Sequence, residues 1–184
     1  VIMFLGELAQ MSGEASARAS LDLPGKQQQL LEAVVATGKP VVLILESGRP
    51  LQISWANQHV GTILQAWFPG VQGGNAIADL LAGDAAPSAR LPLSWPRSVG
   101  QIPLYYNHKS TGRPDSQSRW HTGYLDESKE PLFPFGFGLT YTNFKYSGLR
   151  LDAAAIRPSG MLRVSADLEN AGSRAGTEVV QLYV

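Results

Sequence analysis

The sequence contains no cysteine among its 184 residues. Disulfides and thiolate metal sites are therefore excluded, while the redox compartment stays open. Neither sign of charge is in excess: 15 Lys and Arg face 15 Asp and Glu. Such a balance offers no basic face for nucleic acid and no attraction to an anionic membrane. Long apolar runs are also missing. The best, such as Val41 to Leu45, fall far short of the ~20 residues of a membrane span, so no membrane insertion is expected. Nucleotide signatures are absent as well. Gly70-Val71-Gln72-Gly73-Gly74 does not fit Gly-x-Gly-x-x-Gly, and Gly136-Phe137-Gly138 fails where Tyr141 takes the place of the third glycine. These glycines suit turns and close packing. No Gly-x-Ser-x-Gly elbow occurs, which argues against a serine hydrolase. His59, His108 and His121 lack close metal-ligand spacing, so neither metal nor cofactor is expected.

What is present is a globular composition, with 44% hydrophobic residues, enough for a sizeable core. Val1 to Leu5 reads as a short apolar strand of the kind buried in parallel sheets. A helical stretch opens at Gly25, gathers Leu30, Leu31, Val34 and Val35 on one face, and stops at Gly38. Val41 to Leu45 is the second strand, Pro50 to about Gln58 a short helix, Thr62 to Trp67 the third strand. Gly73 to Leu81 is the next helix, ended by Gly83, and Leu91 to Trp95 a fourth strand. This order predicts an α/β fold, a mostly parallel sheet flanked by helices.

From Pro96 to about Pro134 no period is sustained, yet Tyr105, Tyr106, Trp120 and Tyr124 predict an ordered, packed loop. Further on, Leu162, Val164, Ala166 and Leu168 alternate with polar residues, and Val180, Leu182 and Val184 alternate again. That is the pattern of a half-buried antiparallel sheet, here the first strands of an incomplete β-sandwich. The chain opens and closes inside apolar runs, where natural termini are usually polar, so a piece of a longer polypeptide is expected.

Most carboxylates read as surface charge. Glu14 differs in position, following Ser12-Gly13 just past the first strand with Arg18 four residues on. Ligands gather at the carboxyl ends of parallel strands. Residue type and position alone leave Glu14 either a solvated loop carboxylate or a catalytic one. His108 and His121 likewise either line a pocket from the long loop or face solvent.

Taken in order, the motifs resemble the C-terminal α/β domain of family 3 glycoside hydrolases. They run from Gly6-Glu7, Ser12-Gly13-Glu14, Arg18 and Leu23-Pro24-Gly25 with Gln27, through Gly38-Lys39-Pro40-Val41-Val42-Leu43 and Gly48-Arg49-Pro50. Trp67-Phe68-Pro69-Gly70, Gly73 to Asp79 and Pro87 to Pro92 follow, and Pro134 to Thr142 is the most specific stretch. Arg97 to Pro103, Asn107-His108 and Thr111-Gly112-Arg113-Pro114 look most like bacterial periplasmic β-glucosidases. The resemblance implies an α/β domain over 1–145 and, over 146–184, a truncated fibronectin type III-like sandwich. It implies part of a retaining β-glucosidase acting on terminal β-D-glucosides of short oligosaccharides or aryl glucosides, without cofactor, in the periplasm or secreted. Glu14 would be the acid/base, with Ser12, Arg18 and His108 binding substrate. The nucleophilic aspartate would lie in an N-terminal barrel of the same polypeptide, outside this chain. Ala15 and Ala17 stand where the family often has glycine and aspartate, and Gly123 where periplasmic relatives tend to have arginine. A non-catalytic carbohydrate-binding or interaction module of the same fold remains the alternative. A free-standing flavodoxin-like domain is opposed by the trailing β segment.

Overall fold

A computed structural model describes residues 1–109, 112–113 and 120–183. Thr111 and Pro114 of the motif quoted above, and Val184, lie outside the described residues. The chain divides into two compact units, Val1–Ala78 with Leu91–Phe137, and Asp79–Arg90 with Gly138–Val184.

The first unit is built on a parallel sheet in the order β1-β2-β3, with β1 at Ile2–Gly6, β2 at Val42–Glu46 and β3 at Thr62–Gln65. Ile2 lies opposite Val42, and Val42 opposite Thr62. The central strand is buried on both faces, since Leu43, Ile44 and Leu45 have no exposed surface. This is why it reads as an unbroken apolar run. β1 differs from the fully buried strand expected of it. Met3 and Leu5 enter the core, while Ile2 and Phe4 on the opposite face are 53% and 54% exposed. The strand is at an edge of the three-stranded sheet, so its apolar run is divided between a covered and an uncovered face.

Helix α1 (Gln27–Val35) crosses from β1 to β2, and α2 (Ser54–His59) from β2 to β3. Leu31 of α1 and Ala56 of α2 meet Met3, Leu5, Leu43 and Leu45 in one core cluster. Gly38 ends the α1 region as expected, its amide returning to Val35. The expected helix start at Pro50 is wrong. Leu51 and Ile53 are both buried and Gln52 N donates to Leu21 O, so residues 51–53 alternate as extended chain before α2 begins. Helix α3 runs Gly73–Ala82 and stops at Gly83 as read.

Leu91–Trp95 does not join the parallel sheet. It runs beside 132–137 instead, through Leu91 N to Phe137 O, Gly136 N to Leu91 O, Trp95 N to Phe133 O and Leu132 N to Trp95 O, each 2.8 Å. A five-residue, mostly apolar segment announces burial but not its partner. Trp95, 1% exposed, carries this segment into the core and donates Nε1 to Leu51 O at 2.8 Å. Phe133 stacks on Phe137 with centroids 4.8 Å apart, and Tyr106 on Phe135 at 4.6 Å. The long loop between is tied by buried Gln101, which donates to Ser128 O and Glu130 O and accepts from Arg97 N.

The second unit contains an antiparallel pair, β4 (Phe144–Leu151) and β5 (Val164–Asn170). β5 fits the alternation read around 162–169. β4 shows no clean alternation in the sequence because its register shifts between Ser147 and Arg150. Gly148, at φ +60, takes up an extra residue, so Phe144 and Tyr146 fall out of phase with Leu149 and Leu151. Val180 and Leu182 do not form the expected strand; residues 171–183 carry no strand pairing. Arg90 pairs with Glu178 at 2.6 Å there, Tyr141 Oη donates to Leu80 O, and the Arg174 guanidinium lies 5.5 Å from the Tyr141 ring centre.

Candidate active site

The parallel register brings the carboxyl ends of β1 and β2 side by side, with Gly6 opposite Glu46 and Glu7 N donating to Glu46 O at 2.8 Å. The loop after β1 makes a 3₁₀ turn at Ala9–Met11 and then passes Ser12, Gly13, Glu14, Ala15 and Ser16. The loop after β2 holds Ser47, Gly48 and Arg49. These two loops pack so closely that a Cβ on Gly48 would stand 1.9 Å from Ser12 Oγ.

Glu7 is the electrostatic centre of the arrangement. Its side chain has no exposed surface, and Arg18 Nη1 lies 2.6 Å from its Oε1. Arg49 Nε sits 3.1 Å from Oε1 and 3.2 Å from Oε2. A buried carboxylate is tolerated where it is paired and hydrogen-bonded, and here two guanidiniums supply both conditions. Arg18 also donates Nη2 to Asp22 O at 2.9 Å. Arg49 donates Nη2 to Met11 O, and to Ser16 O at 2.8 Å.

Glu14 projects from the segment between those two carbonyls and is exposed. Its neighbours both take positive φ, +107 at Gly13 and +56 at Ala15. Ala15 thus adopts a left-handed backbone that glycine reaches without a Cβ penalty, at the position where the family resemblance puts glycine. Ser16 Oγ donates to Gln10 O at 3.0 Å and Glu14 O at 3.3 Å, bracing the same turn.

Ser12, Glu14 and Arg18 therefore share one loop. Arg18 is engaged by Glu7 and Asp22, and Ser12 is half-buried against Gly48. His108 is exposed and comes from a separate segment, and among the described residues none of the loop's hydrogen bonds goes to it. A hollow of about 410 Å³ opens beside the loop, lined by Leu8, Met11, Pro24, Gln27 and Glu46 among others; neither Glu14 nor His108 lines it. Among the described residues, no three His, Asp or Glu side chains gather to hold a metal ion. Glu7 and Arg49 stand in the sequence only as motif residues, with no local signal of a task. Each follows directly on an apolar strand or its turn, and strand adjacency is what makes them partners.

Residues 1–141 match the model of the glycosyl hydrolase family 3 C-terminal domain. The chain belongs to glycosyl hydrolase family 3. This family 3 domain is 45% identical over its whole length to a periplasmic β-glucosidase of Salmonella typhimurium and 42% identical to a β-xylosidase of Formosa agariphila. It spans 24% and 25% of the lengths of those two relatives. Among solved structures, a β-glucosidase from Erythrobacter marinus superposes with a TM-score of 0.86 at 41% identity, over 95% of this chain and 23% of that one. A β-glucosidase from Listeria innocua in complex with isofagomine gives 0.78 at 34% identity, over 94% and 30%. No helix among the described residues is long and apolar enough to cross a membrane.

Proposed function

We propose that this family 3 domain works as one wall of the sugar pocket of a retaining β-glucosidase and supplies its acid/base, Glu14. The observation that carries the reading is the placement of Glu14. It is an exposed carboxylate on a braced loop at the carboxyl end of a parallel strand, flanked by two residues of positive φ. Retaining hydrolysis needs two carboxyl groups ~5–5.5 Å apart, one attacking the anomeric carbon and one protonating the leaving oxygen. An exposed, projecting Glu14 suits the second task, and the nucleophile is assigned to an N-terminal barrel domain of the same polypeptide. The names of the relatives support a β-glucoside as substrate and a periplasmic location; to these we assign, as the finer reading, terminal β-D-glucosides of short oligosaccharides or aryl glucosides and a periplasmic or secreted protein. No cofactor enters the scheme.

Ser12 and His108 are assigned to contacts with sugar hydroxyls. Arg18, held on Glu7 and Asp22, suits anchoring the loop and is assigned with them to the substrate side. The antiparallel β4–β5 pair supports reading 146–184 as the early strands of a fibronectin type III-like sandwich, after an α/β domain over 1–145.

Replacing Glu14 with Ala in the full-length enzyme tests the assignment. Turnover of substrates with poor leaving groups should fall by ~10²–10⁴, the usual contribution of general acid catalysis. Activated dinitrophenyl glucosides should glycosylate the enzyme with little loss, and azide should restore their turnover by attacking the glycosyl-enzyme. An equal loss for all leaving groups, with no effect of azide, would reject the role. The 184-residue chain alone should not hydrolyse aryl β-glucosides, because one member of the carboxylate pair is outside it; turnover by a contaminant-free preparation would contradict that.

A further inference from the structure

We infer that Arg49 is a positioning residue for the acid/base loop, clamping the two shoulders of the turn on which Glu14 stands. The inference rests on the reading of Glu14 as acid/base. One nitrogen of the guanidinium, Nη2, carries two hydrogens, and they go to Met11 O and Ser16 O, the carbonyls on either side of the 12–15 segment. The Nε–H goes to the two oxygens of Glu7. The planar fork is thereby held both by a carboxylate without exposed surface and by the loop backbone. A lysine has no planar fork with which to make these contacts together.

The backbone of the turn gives the second, independent observation. Ala15 holds φ +56 without being glycine, and such a conformation persists where surrounding contacts over-determine it. Arg49 supplies those contacts at both shoulders, and Gly48 lets its own loop lie against Ser12 with no room for a Cβ. Because β2 is buried on both faces and carries the Arg49 loop at its end, the position of Glu14 is referred to the most buried strand of the sheet. Catalysis by a general acid depends on holding the carboxyl within hydrogen-bonding reach of the leaving oxygen. Arg49 therefore acts on protonation of the leaving group without touching substrate.

The test uses the full-length enzyme, with Arg49→Lys beside Glu14→Ala, and reads amide exchange together with leaving-group dependence. Arg49→Lys should speed amide exchange across residues 12–16 while β1 and β2 stay protected. It should lower kcat for unactivated glucosides by about tenfold, a part of the ~10²–10⁴ of a general acid, and leave activated aryl glucosides within about threefold, with the alkaline limb of the pH profile displaced. Unchanged exchange at 12–16 overturns the clamp. Faster exchange with an equal loss for every leaving group overturns its catalytic consequence. If Glu14→Ala shows no leaving-group dependence, the acid/base assignment falls, while the exchange result still decides the clamp. Should Arg49→Lys not fold, Arg49→Gln, which leaves Glu7 paired with Arg18, is read in the same way.

Discussion

The side-chain amide of Gln27 pairs with both backbone groups of Gly6: its Oε1 accepts from Gly6 N at 2.7 Å and its Nε2 donates to Gly6 O at 2.9 Å. Gly6 is the last residue of an outer strand of the three-stranded sheet, immediately before Glu7. The carboxamide thus takes the place that a further strand's backbone would occupy, and ties the first turn of α1 to the start of the loop that carries Glu14.

Gln27→Ala removes both bonds and should destabilise the fold by about 1–3 kcal/mol, the range for leaving buried polar groups unpaired. Gln27→Glu should cost at least as much, since an ionised carboxylate accepts from Gly6 N but has no hydrogen to offer Gly6 O. Denaturant unfolding of the two variants reads the difference. Equal stability of both with the parent would show that the pairing contributes nothing.

Gly6→Ala should be far worse. Gly6 lies at φ +145, and an added Cβ would stand 1.9 Å from the backbone oxygen of Glu46, an atom that cannot swing away. A loss of more than about 4 kcal/mol is expected, the tail associated with clashes at special backbone angles. Soluble expression with an unchanged melting temperature would refute this.

Trp95→Phe tests the tie between the 91–95 segment and the core. The indole Nε1 donates to Leu51 O, and both residues are almost wholly buried. Loss of the donor leaves that carbonyl without its partner and opens a small void, so a cost of about 2–4 kcal/mol is expected in thermal or denaturant melts. Because Trp95 is far from the loop of Glu14 in the chain and touches none of its hydrogen bonds, leaving-group dependence in the full-length enzyme should not change.

On the β4–β5 pair, Arg150 Nη2 lies 2.8 Å from Asp167 Oδ1. The hydrogen bond from Arg150, and then its charge, hold the Asp167 carboxyl below its ordinary 3.8. A lowered carboxylate stabilises the folded state above its unfolded pKa, and that contribution disappears as pH falls through the folded value. Both side chains are more than half exposed, so the effect on stability is small and weakened by salt. Carboxyl NMR should show Asp167 titrating below 3.8 and moving up in Arg150→Ala. A titration unaffected by that substitution would remove the pair as the cause.

Local pattern determined a good deal of this protein. The run Val41–Leu45, apolar at every position, dictated a strand, while the equally apolar Val1–Leu5 shows that burial on both faces is decided by the neighbours. The spacing of Leu31, Val34 and Val35 dictated α1, and the glycines 38 and 83 ended their helices as read, because chain stiffness, periodicity and turn chemistry act over a few residues. The position of Glu14 after the first strand was legible for the same reason. Pairing was decided only in the tertiary structure. Leu91–Trp95 carries an apolar pattern that suits the parallel sheet as well as the 132–137 segment, and the partner it takes is chosen by where Trp95 finds Leu51. β4 was hidden because one inserted residue at Gly148 reverses the phase of its alternation. The Glu7–Arg18–Arg49 cluster lay beyond sequence reasoning too. Glu7 and Arg49 stand 42 residues apart, and no local rule says that two guanidiniums will converge on one buried carboxylate until the register of β1 against β2 brings their ends together.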